Sequence, residues 1–495
     1  MKQLAFSLVA GLVSALGFAP LGLWPLTILA FAALFWLIEA APSLRSALAR
    51  GWWFGFGQFA LGLNWIATAF TYQAAMPAWL GWVAVVLMSL VLAIFPAAAA
   101  GLAWRWGKPA PEARILSLAA AWIVTEWLRG TLLTGFAWNP VGATWLGAGG
   151  MANLAVYLGT YGLSGLMVVA GGALYLLKRM DWLQAGAFAL SMLFVAILLR
   201  PLDGGAPTES ARPLLRVVQP DIGQANKWDP GFEAENFRRL ARLTGRPSPE
   251  PRLILWPEAA TPDFISYEHR ARRRIARLIG AHDLLLLGGV EPIFDAGGQG
   301  IAAYNSVYAL TGDARIVGRY DKAHLVPFGE YLPLRPVLAA IGLSRLAPGD
   351  LDFRAGPGPR TLDLGRFGQA GLQVCYEIIF SGHVVDRANR PDFIFNPSND
   401  AWFGAWGPPQ HLAQARLRAI EEGLPVIRST PTGVSAVIDA QGRVLASVPR
   451  GAGVIETRLP RAAAPTPFAR YGNILPLGFA LLMALAAIAV RRKTR

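Results

Sequence analysis

The chain changes character near residue 200: before it, apolar residues run in long stretches, and beyond it short apolar runs alternate with polar ones. A membrane helix needs about 20 mostly apolar residues. Eight such spans are read near 3–19, 22–41, 52–71, 79–104, 114–130, 151–177, 183–199 and 473–490. A signal peptide is the rival reading of the first. It is set aside because further spans follow at once and the cleavage signal is poor. Residues 131–150 are apolar but broken by Gly135, Pro140, Gly142 and Gly147. Such backbone is tolerated at membrane depth only under protein or water. The segment is read as re-entrant or lying on the membrane surface, with an ordinary outer loop as the alternative.

From Leu214 the period shortens. Runs at Leu214–Ile222, Leu253–Trp256, Leu284–Val290, Tyr304–Leu310, Gly371–Val374, Asp392–Asn396 and Val434–Ile438 suit strands buried on both faces. Helical patterns lie at Gly231–Leu243, Tyr267–Ala281 and Gln410–Glu422. Strands alternating with helices predict an α/β layered domain. Three organisational units follow: 1–200 with about seven spans, 212–465 as an α/β domain, and 473–490 as a final span.

Composition sharpens the division. The chain is 54% hydrophobic and 15% charged, against about 25% charged in soluble domains. Only Glu39, Glu112, Glu126 and Asp181 are acidic within residues 1–200, while 27 of the 31 acids and all five histidines lie beyond. The net charge of +14 does not indicate nucleic acid, because much of it flanks apolar spans. Lys2, Arg45, Arg50, Arg105, Lys108, Arg114, Lys178 and Arg179 share one side with the tail Arg491-Arg492-Lys493-Thr494-Arg495. That side is predicted cytoplasmic, as are both termini, which puts residues 201–472 outside.

Candidate chemistry gathers at strand ends. Leu253–Trp256 leads into Pro257-Glu258, Gly371–Val374 into Cys375-Tyr376-Glu377, and Phe393–Phe395 into Asn396-Pro397-Ser398-Asn399-Asp400. Ligands of α/β sheets bind beyond the carboxyl ends of strands, so three such ends predict one site. Cys375 is the sole cysteine, which excludes an intrachain disulfide. A lone cysteine is more often a small buried hydrophobe. As a nucleophile it needs a proton acceptor and a partner for the oxyanion. Spacing leaves His324, His383 and Glu258 open as acceptors, and Lys322 is a candidate oxyanion partner.

Together these residues resemble the nitrilase (carbon-nitrogen hydrolase) superfamily, with Glu258, Lys322 and Cys375 in the order of its Glu-Lys-Cys triad. Longer strings resemble its membrane-bound branch, the apolipoprotein N-acyltransferases. They are Val218-Gln219-Pro220 with Lys227-Trp228-Asp229-Pro230, Asp321-Lys322 with His324–Tyr331, and Asn396-x-Ser398-Asn399-Asp400-Ala401-Trp402-Phe403-Gly404. Three positions depart from that pattern: Leu424 for the usual Arg, Pro431 after Thr430, and Asp221 where Asn is common.

The resemblance implies an αββα sandwich beside about eight transmembrane helices, in a bacterial inner membrane with the sandwich on the periplasmic side. It implies acyl transfer from a phospholipid, through a Cys375 thioester, to the amine of diacylglyceryl apolipoproteins. Glu258 would be the base; Lys322 and the Tyr376 N–H would hold the oxyanion; Glu330 and Glu377 would support the site. Trp228, Asn399 and Trp402 are candidate substrate contacts. No metal or cofactor is implied, and the site is expected near the headgroup plane. Two rivals remain: a membrane-anchored amidase or nitrilase hydrolysing a small amide, and a transporter or scaffold whose outer domain is inert.

Overall fold

The computed structural model describes residues 1–72, 77–108, 110–178, 182–183, 186–187, 190–191, 212–340 and 352–493. They form two units. One comprises Met1–Ala67, Gly81–Asp203 and Pro465–Arg495, the other Thr68–Leu80 and Gly204–Ala464.

The first unit is helical: α1 (Lys2–Ala15), α2 (Trp24–Glu39), α3 (Leu44–Gly62), α4 (Leu80–Trp106), α5 (Pro111–Thr131), α6 (Ala155–Lys178) and the C-terminal helix Ile474–Lys493. Among the described residues, three helices are long and apolar enough to cross a membrane: Leu80–Trp106, Met151–Leu177 and Ile474–Lys493. They match the expected spans 79–104, 151–177 and 473–490. Helices α1 and α2 are apolar but shorter, at 14 and 16 residues. Helix α5 carries Glu112, Arg114, Glu126 and Arg129, more charge than a lipid-facing span accommodates. The span expected at 52–71 is displaced toward the N-terminus. Helix α3 starts at Leu44, where Ser43 caps it by accepting from Ser46 N at 3.2 Å, and ends at Gly62. The cap outweighs the polarity of Arg45 and Arg50. The span expected at 183–199 lies almost wholly outside the described residues.

The Gly- and Pro-broken stretch after α5 folds back into this unit. Its 3-10 turn Val141–Gly147 is largely buried, and so are Trp138 and Asn139. Charged side chains of α5 satisfy its backbone: Arg129 donates to Phe136 O and Trp138 O at 2.7 and 2.8 Å, and Glu126 accepts from Val141 N at 2.9 Å. Asn139 donates to Gly62 O at 3.0 Å. This is how non-helical backbone is made tolerable away from water.

The second unit contains two six-stranded sheets, ordered β12-β1-β2-β3-β4-β5 and β11-β10-β9-β8-β7-β6. The first holds β1 (Leu214–Gln219), β2 (Arg252–Leu255), β3 (Leu284–Phe294), β4 (Gly300–Thr311), β5 (Ile316–Asp321) and β12 (Gly453–Arg458). The second holds β6 (Thr361–Asp363), β7 (Gln369–Leu372), β8 (Phe393–Pro397), β9 (Val426–Ser429), β10 (Ser435–Ile438) and β11 (Val444–Val448). Each has a parallel centre, β1-β2-β3 and β7-β8-β9, flanked by antiparallel strands. Those central strands are mostly apolar and buried, because parallel strands are covered on both faces.

Helices α7 (Glu233–Thr244) and α8 (His269–Ala276) place Leu240 and Ile275 in one buried cluster with Val218, Ile254, Leu285 and Tyr308 of the first sheet. Helix α9 (Gly407–Glu422) follows β8. The sheets are tied where β1 meets β9 and β10: Ser429 Oγ donates to Val218 O at 2.9 Å, and Gln219 Oε1 accepts from Ser435 N at 2.9 Å. This is the α/β domain that the alternation of strands and helices predicted, with two sheets as the resemblance implied.

Candidate active site

The carboxyl ends of β2, β5, β7 and β8 deliver Glu258, Lys322, Cys375 and Asn399. All four are buried, Lys322 to 1% exposure and Cys375 to 5%. After β2 the chain turns sharply through Ala259 at φ +44°. A Cβ on the facing Gly288 would lie 2.6 Å from Ala259 N and from Glu258 Cα, so only glycine allows this close approach.

Glu258 is held at three points. Its Oε1 accepts from Asn305 Nδ2 at 2.7 Å, its Oε2 from Asn399 N at 2.6 Å, and its carbonyl from Lys227 Nζ at 2.9 Å. Asn305, on β4, also donates to Glu330 Oε1 at 2.9 Å. One amide therefore spends both hydrogens on two carboxylates. Glu330 accepts from Lys322 Nζ at 3.0 Å on Oε1 and from Val326 N at 2.8 Å on Oε2. Burial would lower the Lys322 pKa, but Glu330, Glu258 and Glu377 reverse this and hold the ammonium well above its usual value.

Cys375 sits at φ +52°, in left-handed space that non-glycine residues rarely occupy. The strain of roughly 1–3 kcal/mol is sustained by the surrounding bonds. Glu377, three residues past Val374, reaches back to accept from Val374 N at 2.7 Å, as the acid of a capping box does. It also accepts from Tyr320 Oη, Ala323 N and His324 N at 2.8–3.0 Å. It thus clamps the cysteine turn to the chain on either side of Lys322. Burial pushes the Glu377 carboxyl up to about 7 against those donors.

Beneath the turn, Cys375 O accepts from His411 Nε2 at 3.1 Å and Asn396 Nδ2 at 3.4 Å. Arg428 Nη2 donates to His411 Nδ1 at 2.9 Å and to both oxygens of Asp400 at 2.5 and 2.6 Å. Burial and Arg428 lower His411 to about 4, so it is neutral with its hydrogen on Nε2. Burial would raise Asp400, yet Arg428 and His411 bring it down to about 2. The thiol itself is pushed up to about 12 by burial first and by Glu258 second, with Lys322 pulling the other way. It rests protonated and needs a base.

The structure thus brings together Glu258, Lys322, Cys375, Glu330, Glu377 and Asn399. Tyr376, buried, meets Phe380 edge-on at 5.1 Å. His324 stacks on Phe380 at 3.8 Å, and His383 lies beside Arg387 and Arg418, which with burial lower its pKa. The thiol's electrostatic neighbours include Glu258, Lys322, Ser398 and Asp400. Trp228 is 37% exposed next to Lys227, and Trp402 meets Tyr72 edge-on at 5.7 Å.

Asn305, His411, Arg428 and Lys227 join the site without a role that the sequence pattern assigns. Lys227 is buried, which lowers it to about 8 while Glu258 and Cys375 oppose the shift. The available signals were Asn305 inside an apolar strand, and His411 on a helix face that stays polar yet buried at Gln410, Gln414 and Arg418. The departures are absorbed locally. Asp221 has φ +57°, a conformation that Asp and Asn both tolerate. Leu424 is fully buried, and Pro431 keeps its carbonyl bond from Ile222 N at 3.2 Å.

Comparison with known proteins agrees with this geometry. Residues 10–173 match the family model of the apolipoprotein N-acyltransferase N-terminal domain, and residues 214–465 match carbon-nitrogen hydrolase. The apolipoprotein N-acyltransferase of Rhodopseudomonas palustris is 36% identical over 99% of this chain and 96% of its own. That of Caulobacter vibrioides is 37% identical over 98% and 94%. Among solved structures, Nit3 of Saccharomyces cerevisiae, of the nitrilase superfamily, matches 52% of this chain and 93% of its own, at 20% identity and a TM-score of 0.36. Matched end to end by such relatives and carrying both family regions, this chain belongs to the apolipoprotein N-acyltransferase family.

Proposed function

We propose that this protein moves a fatty acyl chain from a phospholipid, through a thioester on Cys375, to the N-terminal amine of the diacylglyceryl-cysteine of apolipoproteins. The end-to-end likeness to apolipoprotein N-acyltransferases carries the reading, and the buried Glu258–Lys322–Cys375 cluster supplies the chemistry. The thiol of Cys375 is protonated at neutral pH, so Glu258 accepts its proton as sulfur attacks the ester carbonyl. Oxygen charge develops against Lys322, whose ammonium Glu330 fixes, and against the main-chain N–H of Tyr376. Collapse expels the lysophospholipid oxygen, which takes the proton back from Glu258. The lipoprotein amine then attacks the thioester, and its proton passes through Glu258 to sulfur. This is a two-step, ping-pong scheme.

Asn305 gives the scheme its rigidity, because it sets Glu258 and the Lys322–Glu330 pair at one fixed separation. Trp228, Asn399 and Trp402 are the substrate contacts in this reading. The bilayer location follows from the lipid substrates and from the three long apolar helices. The one-sided basic residues support cytoplasmic termini and a periplasmic catalytic domain. The test supplies phospholipid together with a diacylglyceryl-cysteine peptide and identifies the product by mass. An N-acylated peptide and a lysophospholipid in equal amounts support transfer, whereas free fatty acid with unmodified peptide would support the hydrolase reading.

A further inference from the structure

Two buried acceptors flank Glu258 without a hydrogen-bond partner among the described residues: Asn305 Oδ1 and Asn399 Oδ1. Leaving a buried polar atom unpaired costs stability, and a substrate group that arrives later relieves that cost. Asn305 turns its Nδ2 to Glu258 and Glu330, on the Lys322 side of the base. Asn399 is placed differently. Its main-chain N–H binds Glu258 Oε2 at 2.6 Å, and its Nδ2 donates to Gln224 Oε1 at 2.8 Å, which fixes the amide plane. The preceding residue, Ser398, is within hydrogen-bond reach of the Cys375 thiol. The unpaired Asn399 Oδ1 thus belongs to a residue that holds Glu258 through its main chain and directly follows one that neighbours the thiol.

The two half-reactions make different demands here. A departing lysophospholipid oxygen takes up one hydrogen, and Glu258 supplies it. A primary amine carries two hydrogens while its lone pair attacks the thioester carbon. The N–C bond forms and the C–S bond breaks with its electron pair going to Sγ. One hydrogen passes as a proton through Glu258 to that sulfur. The other stays on nitrogen to become the amide N–H, and in a buried site it needs an acceptor.

We propose that Asn399 Oδ1 accepts this second N–H, so that Asn399 acts on the amine step and not on acylation of Cys375. The proposal rests on the acyl-transfer reading above. Its test separates the two half-reactions in Asn399→Ala and Asn399→Asp, both of which keep the main-chain bond to Glu258. The first measurement is the rate of Cys375 acylation by phospholipid alone; the second is decay of the isolated acyl-enzyme on adding a diacylglyceryl-cysteine peptide. Thermal melting checks the fold of both variants, and in Asn399→Ala the ratio of aminolysis to acylation should fall about tenfold or more. Asn399→Asp keeps an acceptor and should restore most of the aminolysis. Equal losses in both steps, normal aminolysis in Asn399→Ala, or no recovery in Asn399→Asp would overturn the assignment. A wild-type protein that never acylates would instead defeat the acyl-transfer reading, and the proposal with it.

Discussion

His411 donates from Nε2 to the main-chain oxygen of Cys375 at 3.1 Å. The bond is buried, and it lies under the residue whose φ is +52°. Arg428, itself paired with Asp400, fixes the ring that makes it, so a side chain 36 residues away in sequence steadies the strained turn. His411→Ala leaves Cys375 O with the longer Asn396 Nδ2 bond at 3.4 Å and should cost roughly 1–3 kcal/mol. Acylation of Cys375 should fall about tenfold or more as the thiol loses its placement. Thermal melting and single-turnover acylation measured together check this; unchanged acylation would show that the turn keeps its shape unaided.

The thiol's protonation makes a second prediction. Only the thiolate alkylates, and burial and Glu258 push Cys375 up to about 12. Alkylation by iodoacetamide should be slow at pH 7 and rise about tenfold per pH unit toward pH 10 without a plateau. A plateau near pH 8 would mean a preformed thiolate and no need of Glu258 as base.

Glu258 and Lys322 should fail for different reasons. Glu258→Gln keeps the shape and loses the proton acceptor, so acylation should drop by about 10²–10⁴. Lys322→Arg keeps the charge, but a planar guanidinium cannot fit the fully buried site where Nζ meets Glu330 at 3.0 Å. It should also abolish acylation. Rapid-quench acylation rates on folded protein decide. Near-normal rates in Glu258→Gln would remove Glu258 from the mechanism.

Legibility in the sequence followed burial. All the parallel strands but β9, whose Val426–Ser429 run carries the buried Arg428, were readable because both faces are covered and the runs are apolar, as at Leu253–Trp256 and Phe393–Phe395. Strands β5, β6, β9, β11 and β12 were not read, and β11 shows why: Val444, Leu445 and Ser447 alternate in no clear pattern, and much of it is exposed. Glu258, Cys375 and Asn399 were readable because each follows an apolar run that stops abruptly, whereas Lys322 was readable only through the string it shares with His324–Tyr331. Asn305 and His411 were not, because their roles come from contacts 47 and 36 residues away. The membrane part was harder. Helices α3 and α5 carry buried arginines that satisfy main-chain carbonyls, such as Arg129 on Phe136 and Trp138, and charge of that kind blurs a hydropathy reading.

Orientation is testable separately. Twelve basic residues share one side in the proposed topology, so a reporter fused after Arg495 should be cytoplasmic and one inserted near Gly204 should be outside. The reverse result would remove the case for a periplasmic catalytic domain.

The central claim is that Cys375 carries the acyl chain between two substrates. Intact-mass spectrometry of the protein after incubation with phospholipid alone tests it most directly. Cys375 is the only thiol, so the account predicts one added fatty acyl group on wild type, removed by hydroxylamine and never formed on Cys375→Ser. Wild-type protein that stays unacylated while it transfers acyl groups to peptide would contradict the account.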